Sequence, residues 1–550
     1  GLRQIGVARA IAETASVPAT ASLLQWQPTA AGGQLARVSI RSTDALGVRL
    51  GVLVDQLPPS AKLRVYTTED DDTAFEISGS EVLTLLQRNL DAGDKSADAH
   101  TYWTPEIEGD TVTLEVELPS GEDPSHVRLA VPRLTHLLES PQVAASLPTL
   151  ATGVGASGSC NVDITCSTSF SNESNAVARM IFVNGGNGYL CTGTLLNDTA
   201  SSGTPYFLSA NHCISSQTVA STLTTYWFFR ASSCNSGTLS SATRTLSGGA
   251  TLLYSTAATD TSFMRLNSTP PAGVSYVGWS TTAPTPGTAV TGVHHPAGDL
   301  QKISKGTAQG YANCTSGADE SINCTTADQS GNFVYNTWSS GTTEGGSSGS
   351  GLFTTSAGKN YLVGQLYGGS GSCTAPSGID IYGRFGTAYT AALSTWLAPA
   401  APARSPIYRF YNATTGGHFY TISVAERDYV IATYPVFSYE GIAFYAYGSD
   451  TGGLSAVYRF FNTANSTHFY TIDATERDWV VQTLPAYHLE GTSWYASSGA
   501  VSGATPVYRF FRPVGGTHFY TINEAEKNYV QQNYHDYQYE GIAYYAWTAP

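Results

Sequence analysis

The sequence predicts a mainly β protein of several domains, and three observations lead to this prediction. The chain has 550 residues, which is too long for a single hydrophobic core. It is rich in glycine (55) and tyrosine (33), nearly free of methionine (2) and only 13% charged, a composition typical of β-rich proteins with many turns. Its C-terminal part repeats itself every 50 residues. We therefore expect a series of separate, mostly β modules.

The bulk properties exclude two classes of partner. A net charge of −15 argues against nucleic acid, because binding phosphate needs a basic face. No apolar run has the length of a membrane span. The chain begins at Gly1 rather than at a methionine, and we expect that a signal peptide preceded it.

The cysteines indicate the compartment. All eight lie between Cys160 and Cys373, and an even number in one segment predicts a disulfide framework. Disulfides persist outside the cytosol, so we expect a secreted, extracellular protein. The spacings are irregular and contain no C-x2-C pair, which argues against zinc. No metal and no cofactor are expected.

The first region, residues 1–154, contains no cysteine and alternates as strands do. Residues 111–118 (TVTLEVEL) alternate strictly, and residues 126–131 repeat the pattern. Residues 50–54 and 63–66 are predicted as further strands. A small antiparallel sandwich is the natural solution.

The second region, residues 155–397, is rich in glycine, serine and threonine and holds every cysteine. A turn or two of helix is predicted at residues 393–397. The proline- and alanine-rich residues 398–406 predict a semi-rigid, extended linker.

The third region, residues 407–550, contains three copies of one unit. Each copy carries a YRF motif, an HFYT motif and a late Glu-Gly, which begin at 408, 418 and 440 and recur 50 and 100 residues later. Each also has a pair typical of a capping box at a helix start: Ser423 with Glu426, Asp473 with Glu476, and Asn523 with Glu526. We expect one short helix among aromatic-rich strands in each unit. Three units should close into a pseudo-threefold module, because one alone cannot bury its apolar face.

A serine between glycines is the first sign of chemistry. In residues 346–351 (GSSGSG), Ser348 can lie on a tight turn with its hydroxyl exposed. The backbone N–H groups of Gly346 and Ser348 could then point at a developing oxyanion. Taken alone, such a run is more often only a loop.

A histidine and an aspartate strengthen this interpretation. In residues 207–213 (FLSANHC) an apolar strand leads to His212, and a Cys191–Cys213 bridge would hold the histidine loop in place. Asp260 begins a half-buried strand, where it could accept the imidazole Nδ1–H. The order His, Asp, Ser along the chain is that of chymotrypsin-type enzymes. These residues predict a serine protease triad.

Residues 155–397 resemble the lysyl endopeptidase branch of the chymotrypsin-like proteases. The motifs that carry the resemblance are 158–163 (GSCNVD), 191–195 (CTGTL), 206–213 (YFLSANHC), 293–296 (VHHP), 343–350 (TEGGSSGS) and 363–369 (VGQLYGG). The resemblance implies a double β-barrel and a secreted serine endopeptidase that acts on proteins or peptides through an acyl-enzyme. It also implies the disulfides Cys160–Cys373, Cys166–Cys234 and Cys191–Cys213. Cys314 and Cys324 are left over and most simply pair with each other.

The resemblance also bears on specificity. Thr342 stands where trypsin-like enzymes place an acidic residue that binds basic side chains. Lysyl endopeptidases use a later aspartate, and residues 379–384 (IDIYGR) supply Asp380 there. A pocket carboxylate would pair with a basic P1 side chain, the residue before the scissile bond, which predicts cleavage after Lys or Arg. The alternative is a structural aspartate bonded to loop amides. Tyr367 replaces the family's histidine on the pocket wall, beside Gly368.

The N-terminal region resembles the propeptides of this branch, which implies a β-sandwich-like prodomain that assists folding and inhibits the protease. Pancreatic enzymes activate when a new N-terminal ammonium pairs with an aspartate before the nucleophile, but here that residue is the uncharged Ser347. A maturation junction is expected near Val154–Gly155. The alternative is an independent binding domain that stays in the mature protein.

Two other functions compete with this prediction. A glutamyl endopeptidase would share the GSSG and His-Pro features but would lack a carboxylate at Asp380. A surface adhesin or lectin with an inert protease domain would lack a member of the triad. The aromatic side chains of the repeats could stack on a cell-surface glycan or polysaccharide, although most are expected to be core.

Overall fold

The computed structural model describes residues 2–67, 70–139, 154–317, 321–375, 377–398 and 403–550. The chain forms two compact units, Gly1–Pro399 and Ala400–Pro550. Residues 140–153 of the expected prodomain and 399–402 of the expected linker lie outside the described residues. The protein is mainly β, as predicted. No helix in the described part of the chain is both long and apolar enough to cross a membrane.

The N-terminal region packs two antiparallel sheets around one apolar core, which agrees with the predicted sandwich. Its helix Gly79–Asp91 begins with a capping box formed by Ser78 and Glu81 and buries Val82, Leu85 and Leu86. The strands are β1 (Arg3–Ala10), β2 (Gln27–Pro28), β3 (Gln34–Arg41), β4 (Gly47–Gln56), β5 (Lys62–Thr67), β6 (Asp70–Ser78), β7 (Thr101–Trp103), β8 (Ile107–Glu108), β9 (Thr111–Leu118) and β10 (Arg128–Leu137), and the helices are α1 (Val17–Leu23) and α2 (Gly79–Asp91).

The middle region contains the expected pair of barrels, one of them closed. The order β20-β19-β23-β24-β25-β22 returns to β20 and closes the second barrel, while β16-β15-β12-β13-β14-β18-β17 forms the open first barrel. These strands are β11 (Val162–Asp163), β12 (Val177–Asn184), β13 (Asn187–Leu196), β14 (Tyr206–Ala210), β15 (Thr224–Trp227), β16 (Arg244–Leu246), β17 (Ala250–Thr256), β18 (Thr261–Leu266), β19 (Ala289–His294), β20 (Lys302–Ser316), β21 (Ile322–Ala327), β22 (Phe333–Ser340), β23 (Gly351–Ser356), β24 (Lys359–Gly369) and β25 (Ile379–Arg384). The helices are α3 (Ser171–Ala176), α4 (Gln217–Ala220), α5 (Phe385–Ala388) and α6 (Ser394–Leu397).

One sheet runs without a break from the N-terminal region into the first barrel. Strand β1 lies between β10 and β13 and pairs antiparallel with both. Arg3 faces Leu190 and Gln4 faces Tyr189. A buried ion pair, Arg49 with Glu106 at 3.0 Å, supports the same contact, since Arg49 also donates to the Thr222 carbonyl of the barrel. The two regions therefore share backbone hydrogen bonds as well as side-chain contacts.

The repeat module consists of three sheets of three strands, and in each repeat a helix connects the second strand to the third. Tyr420, Tyr470 and Tyr520 are buried at its centre, and each hydroxyl donates to the backbone carbonyl of another member of the set. This arrangement confirms that these aromatics are core. The elements are β26 (Ser405–Asn412), β27 (Gly417–Thr421), α7 (Val424–Thr433), β28 (Phe437–Ala446), β29 (Ser455–Asn462), β30 (Thr467–Thr471), α8 (Ala474–Thr483), β31 (Tyr487–Ala496), β32 (Thr505–Arg512), β33 (Thr517–Thr521), α9 (Glu524–Asn533) and β34 (Gln538–Ala546).

The predicted capping pairs of the repeats are only half formed. Ser423, Asp473 and Asn523 accept the expected bonds from backbone N–H groups at the helix starts. The glutamates instead reach the next repeat, where Glu426 binds Arg459, Glu476 binds Arg509 and Glu526 binds Arg409. A hydrogen bond between a carboxylate and arginine is stronger than one between a carboxylate and a neutral backbone N–H. The glutamates therefore bind the arginines of the neighbouring repeats instead of completing the capping boxes.

Candidate active site

His212 and Asp260 meet because their strands are neighbours. Strands β14 and β18 pair antiparallel, with Ala210 opposite Thr261, so the residues just beyond these ends lie side by side. His212 Nδ1 is 2.8 Å from Asp260 Oδ2, and the His212 backbone N–H donates to Oδ1 at 2.9 Å. Asp260 is only 2% exposed, and this burial raises the pKa of its carboxyl group. The carboxylate therefore binds His212 twice, once at the imidazole ring and once at the backbone N–H.

The second barrel holds Asp260 through a residue that the sequence analysis did not single out. The buried side-chain amide of Gln365, on β24, donates to the carbonyls of Thr259 at 2.7 Å and Asp260 at 3.2 Å. It also donates to Thr261 Oγ1 at 3.0 Å. Gln365 falls within one of the family motifs, but nothing in its local pattern indicates a partner more than 100 residues away.

The expected Cys191–Cys213 disulfide is present and joins β13 to the histidine loop. The next residue on β13, Thr192, donates its backbone N–H to the carbonyl of Ser348 at 2.8 Å. One short segment thus fixes both the histidine and the serine. Cys191, His212 and Cys213 bring three ligand-type atoms within 4.8 Å, but the two sulfurs are bonded to each other and offer no thiolate to a metal.

The serine loop is shaped by glycines and by a buried histidine. Gly349 has φ +81°, and a Cβ there would lie 2.1 Å from Ser209 Oγ, so only glycine fits. Ser347 Oγ is 2.9 Å from His294 Nδ1, whose Nε2 is 2.9 Å from Ser304 Oγ. Burial lowers the pKa of His294 to about 3, so this histidine is neutral. Uncharged hydrogen bonds therefore hold the position before Ser348.

The structure does not join the third member of the predicted triad to the other two. Ser348 is fully buried, and its Oγ has no hydrogen-bond partner among the described residues. Among the described residues, the backbone N–H groups of Gly346 and Ser348 likewise have no hydrogen-bond acceptor. His212 Nε2 has only a distant contact, 3.8 Å from Cys213 Sγ. The serine hydroxyl and the predicted oxyanion donors are thus present but not engaged.

Asp380 is a buried residue of β25 with several polar neighbours. One oxygen, Oδ2, accepts bonds from Trp338 Nε1 at 2.6 Å and Thr343 Oγ1 at 2.5 Å. The other, Oδ1, is buried, and no described side chain donates to it, although the Gly371 backbone contributes a hydrogen bond to the carboxylate. Thr342 Oγ1 is likewise buried without a partner, and both atoms lie 3.1 Å from where a Gly371 Cβ would stand. Burial raises the pKa of Asp380. Two acceptor atoms therefore face one small space.

Tyr367 lies on the histidine side of this region. Its ring centroid is 5.3 Å from that of Phe333 and 5.8 Å from that of His212, and its hydroxyl bonds to Ser316. Gly368 follows at a bulge where β24 pairs with β25, opposite Ile381. The predicted site residues of β24 and β25 thus adjoin one another.

The remaining disulfides match the implied pairing. They are Cys160–Cys373, Cys166–Cys234 and Cys314–Cys324. The last joins opposed residues of β20 and β21, so the leftover cysteines close a hairpin as expected.

Sequence comparisons identify relatives for both halves of the larger unit. A profile of the lysyl endopeptidase N-terminal domain matches residues 2–138, and one of the C-terminal domain matches residues 154–383. A profile described as a domain of unknown function matches residues 384–497. The lysyl endopeptidase of Pseudomonas aeruginosa is 34% identical over 412 residues, which cover 72% of this chain and 81% of that protein.

Solved protease structures are also similar. The active form of a Mycobacterium tuberculosis protease, Rv3671c, has a TM-score of 0.30 and 13% identity, over 44% of this chain and 90% of the other. Protease Anisep from Arthrobacter nicotinovorans has a TM-score of 0.28 and 17% identity, over 41% of this chain and 97% of the other.

The double barrel and these sequence relatives define the class of protein: the chain is a serine endopeptidase of the chymotrypsin-like type. Both profiles and the Pseudomonas relative bear the same family name. The chain belongs to the lysyl endopeptidase family.

Proposed function

We propose that this protein is secreted as a precursor and, once matured, cleaves polypeptides after lysine or arginine through a covalent acyl-enzyme. The proposed triad is His212, Asp260 and Ser348. The observation that carries the specificity is the buried carboxylate of Asp380, whose Oδ1 receives no hydrogen bond from a described side chain. The four disulfides support an oxidising destination such as the extracellular space.

The proposed reaction has two halves. Ser348 Oγ attacks the carbonyl carbon of the scissile peptide while His212 Nε2 takes the hydroxyl proton, and the N–H groups of Gly346 and Ser348 stabilise the oxyanion. His212 then gives this proton to the leaving amine, and the C–N bond breaks to leave an ester on Ser348. Water, deprotonated by His212, hydrolyses the ester and restores the serine. Asp260 keeps the imidazole in the required tautomer, which its 2.8 Å contact with Nδ1 supports.

The pocket favours a cationic P1 side chain. A lysine ammonium at the base could donate to Asp380 Oδ1 and Thr342 Oγ1, two buried acceptors without a side-chain donor in the described chain. Leaving a buried carboxylate unpaired is costly, so the cation that neutralises it gains binding energy. A glutamyl endopeptidase is disfavoured, since an acidic P1 side chain would meet a second carboxylate there.

The N-terminal region is proposed to act as an inhibitor before maturation. Strand β1 pairs with β13 at Leu190, next to Cys191 and two residues before the Thr192–Ser348 hydrogen bond. Leu2 packs against the apolar cluster that contains Cys191 and Cys213. An extended substrate needs the same kind of backbone pairing near the nucleophile, so β1 is placed to compete with it.

The test is a set of peptides that differ only at P1, with Lys, Arg, Glu or Phe. They are assayed with the matured protein and with its Ser348→Ala, Asp380→Asn and Asp163→Asn variants. Asp163 is a buried aspartate outside the pocket and serves as the control. We expect Ser348→Ala to be inactive. Asp380→Asn should lower kcat/KM for Lys by about 100-fold or more, the order expected when a buried ion pair loses one partner.

Two outcomes would contradict the proposal. Cleavage after Glu or Phe by the unaltered protein would refute the proposed role of Asp380 in specificity but not the proposed triad. Equal, negligible activity of the matured protein and Ser348→Ala would favour the inert adhesin or lectin alternative.

For the repeat module we propose a role in binding glycan at a cell surface. Support comes from large aromatic side chains that the three helices expose, among them Tyr429 at 57%, Trp479 at 55% and Tyr529 at 57%. The exposed ring recurs at the equivalent position of all three helices, which favours a ligand common to the three repeats.

A further inference from the structure

We propose that the module carries three equivalent clefts, one at each junction between repeats, and that each binds a neutral sugar residue of a polysaccharide. This inference rests on the proposed glycan-binding role and assigns it a place and a ligand chemistry. The clefts lie between the helix of one repeat and the strands of the next.

The first cleft is formed by repeats one and three. It is a cavity of about 320 Å³. Its lining consists of charged and aromatic side chains from both repeats: Arg409, Tyr411, His418, Glu440, Phe519, Glu526, Tyr529, Tyr534 and Tyr537. A volume of this size suits one or two sugar rings rather than a folded partner.

The polar groups of this cleft form a fixed ion-pair network. Arg409 bridges two carboxylates, Glu440 at 2.8 Å and Glu526 at 3.0 Å. The carboxylates are about one-third exposed, at 31% and 32%, whereas Arg409 is only 17% exposed. The His418 ring contacts the Phe519 ring in a tilted arrangement, with the centroids 4.8 Å apart, and burial lowers the pKa of His418 to about 3, so it is neutral. The cleft thus offers carboxylate acceptors, and one cation lies beneath them.

The apolar wall of the cleft is exposed tyrosine. Tyr529 and Tyr534 are 57% and 48% exposed, and their rings meet edge to face at 6.1 Å. Tyr529 therefore presents a free ring face beside the carboxylates. A sugar has the matching surfaces, since its C–H face stacks on an aromatic ring while its hydroxyls donate to carboxylates.

The other two junctions repeat this arrangement. Arg459 bridges Glu426 and Glu490 at 3.0 and 2.6 Å, and Arg509 bridges Glu476 and Glu540 at 2.8 and 2.9 Å. The tilted contact between a histidine ring and a phenylalanine ring recurs, with centroids 4.8 and 4.7 Å apart. Tyr429 and Trp479 occupy the positions equivalent to Tyr529. A purely internal ion-pair network would not need an exposed ring at the same place in all three copies.

The charges favour a neutral ligand over a charged one. One arginine, two glutamates and a neutral histidine leave each cleft with a net negative charge, which repels phosphate, sulfate and uronic acids. Both carboxylates are already paired with Arg409, whose positive charge opposes a second cation. Hydroxyl donors suffer neither penalty.

Three sites in one module imply binding by avidity. A single stacked sugar binds weakly, because the small area that it buries barely offsets the entropic cost of association. A polysaccharide that engages a second cleft does so at high effective concentration, so the whole module holds far more tightly than one cleft.

The test uses the full chain with Ser348→Ala, which prevents proteolysis during the assay. Binding is measured by co-sedimentation with insoluble cellulose, chitin, xylan and β-1,3-glucan, with chitosan as a cationic comparison. The cleft variants are Tyr429→Ala, Trp479→Ala and Tyr529→Ala, singly and together. The control is Tyr439→Ala with Tyr539→Ala, two exposed rings outside the lining of the cleft. Thermal unfolding verifies that each variant is folded.

We expect retention on at least one of the neutral polysaccharides. Each single substitution should weaken binding between about twofold and tenfold, as loss of one aromatic contact does. The triple variant should lose at least 100-fold, and the control should change less than twofold.

Each remaining outcome overturns a distinct claim. Full binding by a folded triple variant would refute the clefts as binding sites but would still support glycan binding by the module. Retention on chitosan alone would make the clefts cation sites. No retention on any polysaccharide would overturn both the clefts and the proposed glycan role.

Discussion

The three buried histidines of the repeat module should make it sensitive to mild acid. His418, His468 and His518 have pKa values of about 3, 4 and 3, in each case because burial penalises the charged form, with the neighbouring arginine as a second cause. Glu440 lies 3.5 Å from His418 Nε2, but the same oxygen already accepts a bond from Arg409. The folded module therefore keeps its histidines neutral down to low pH, while the unfolded chain protonates them near pH 6.5.

The sign and size of the effect follow from this difference. Between pH 7 and pH 5 the unfolded state gains protons that the folded state does not, so the free energy of unfolding falls as the pH falls. For one group with pKa 6.5 unfolded and about 3 folded, the loss over this interval is about 2 kcal/mol. Three such groups lose about 6 kcal/mol, which is comparable to the whole stability of a typical domain.

Calorimetry of the full Ser348→Ala chain at pH 7 and pH 5 can measure this loss. The transition of the repeat module is identified by a variant in which all three histidines are changed to glutamine. We expect that transition to move strongly with pH in the parent chain and weakly in the variant. The exposed His535→Gln serves as the control. Parallel pH dependence in the parent and the triple variant would refute the reasoning, because the histidines would then not carry the proton uptake.

Two further predictions concern the protease. Gln365→Ala should lower kcat about tenfold or more with little change in KM, because the substitution frees the backbone around Asp260. The control is the exposed Gln309→Ala, which should leave kcat unchanged. A rise in KM equal to the loss in kcat would contradict a positioning role for Gln365. Asp299 accepts the Gly155 backbone N–H at 2.7 Å, so cleavage before Gly155 would place a new ammonium on this carboxylate. Asp299→Asn should then cost the matured enzyme roughly 1.5–3 kcal/mol in unfolding free energy and the precursor less, and equal losses in both forms would refute this.

Local patterns predicted the parts of this protein that depend on local forces. Strict alternation located β9 at Thr111–Leu118, although its polar residues Thr113 and Glu115 are buried as well, and the repeat period located the three units. The order of the histidine, aspartate and serine motifs indicated the double barrel. The polar, turn-rich starts of α7, α8 and α9 were likewise visible.

Contacts between distant segments could not be found in this way. The pairing of β1 with β13 and the reach of Gln365 to Asp260 join residues more than 100 positions apart, and neither strand period nor composition records a partner. For Glu426 the local pattern predicted a partner that the structure does not show. Its position matched a capping box, but the side chain binds an arginine in the next repeat, which offers a stronger bond. The isolation of Ser348 Oγ from His212 depends on atomic positions that no motif specifies.

Strand β1, which pairs with both regions, determines what would happen to the N-terminal region after the proposed cleavage. After cleavage near residue 154, β1 would still be hydrogen-bonded to β13, so the severed fragment would remain as a stoichiometric inhibitor of its own enzyme. Its lifetime would then limit the onset of activity. The fragment carries two lysines, Lys62 and Lys95, both exposed, and Lys95 lies in the irregular segment after α2. An enzyme that cuts after lysine could therefore destroy the fragment in neighbouring molecules, and activation would accelerate as active enzyme accumulates.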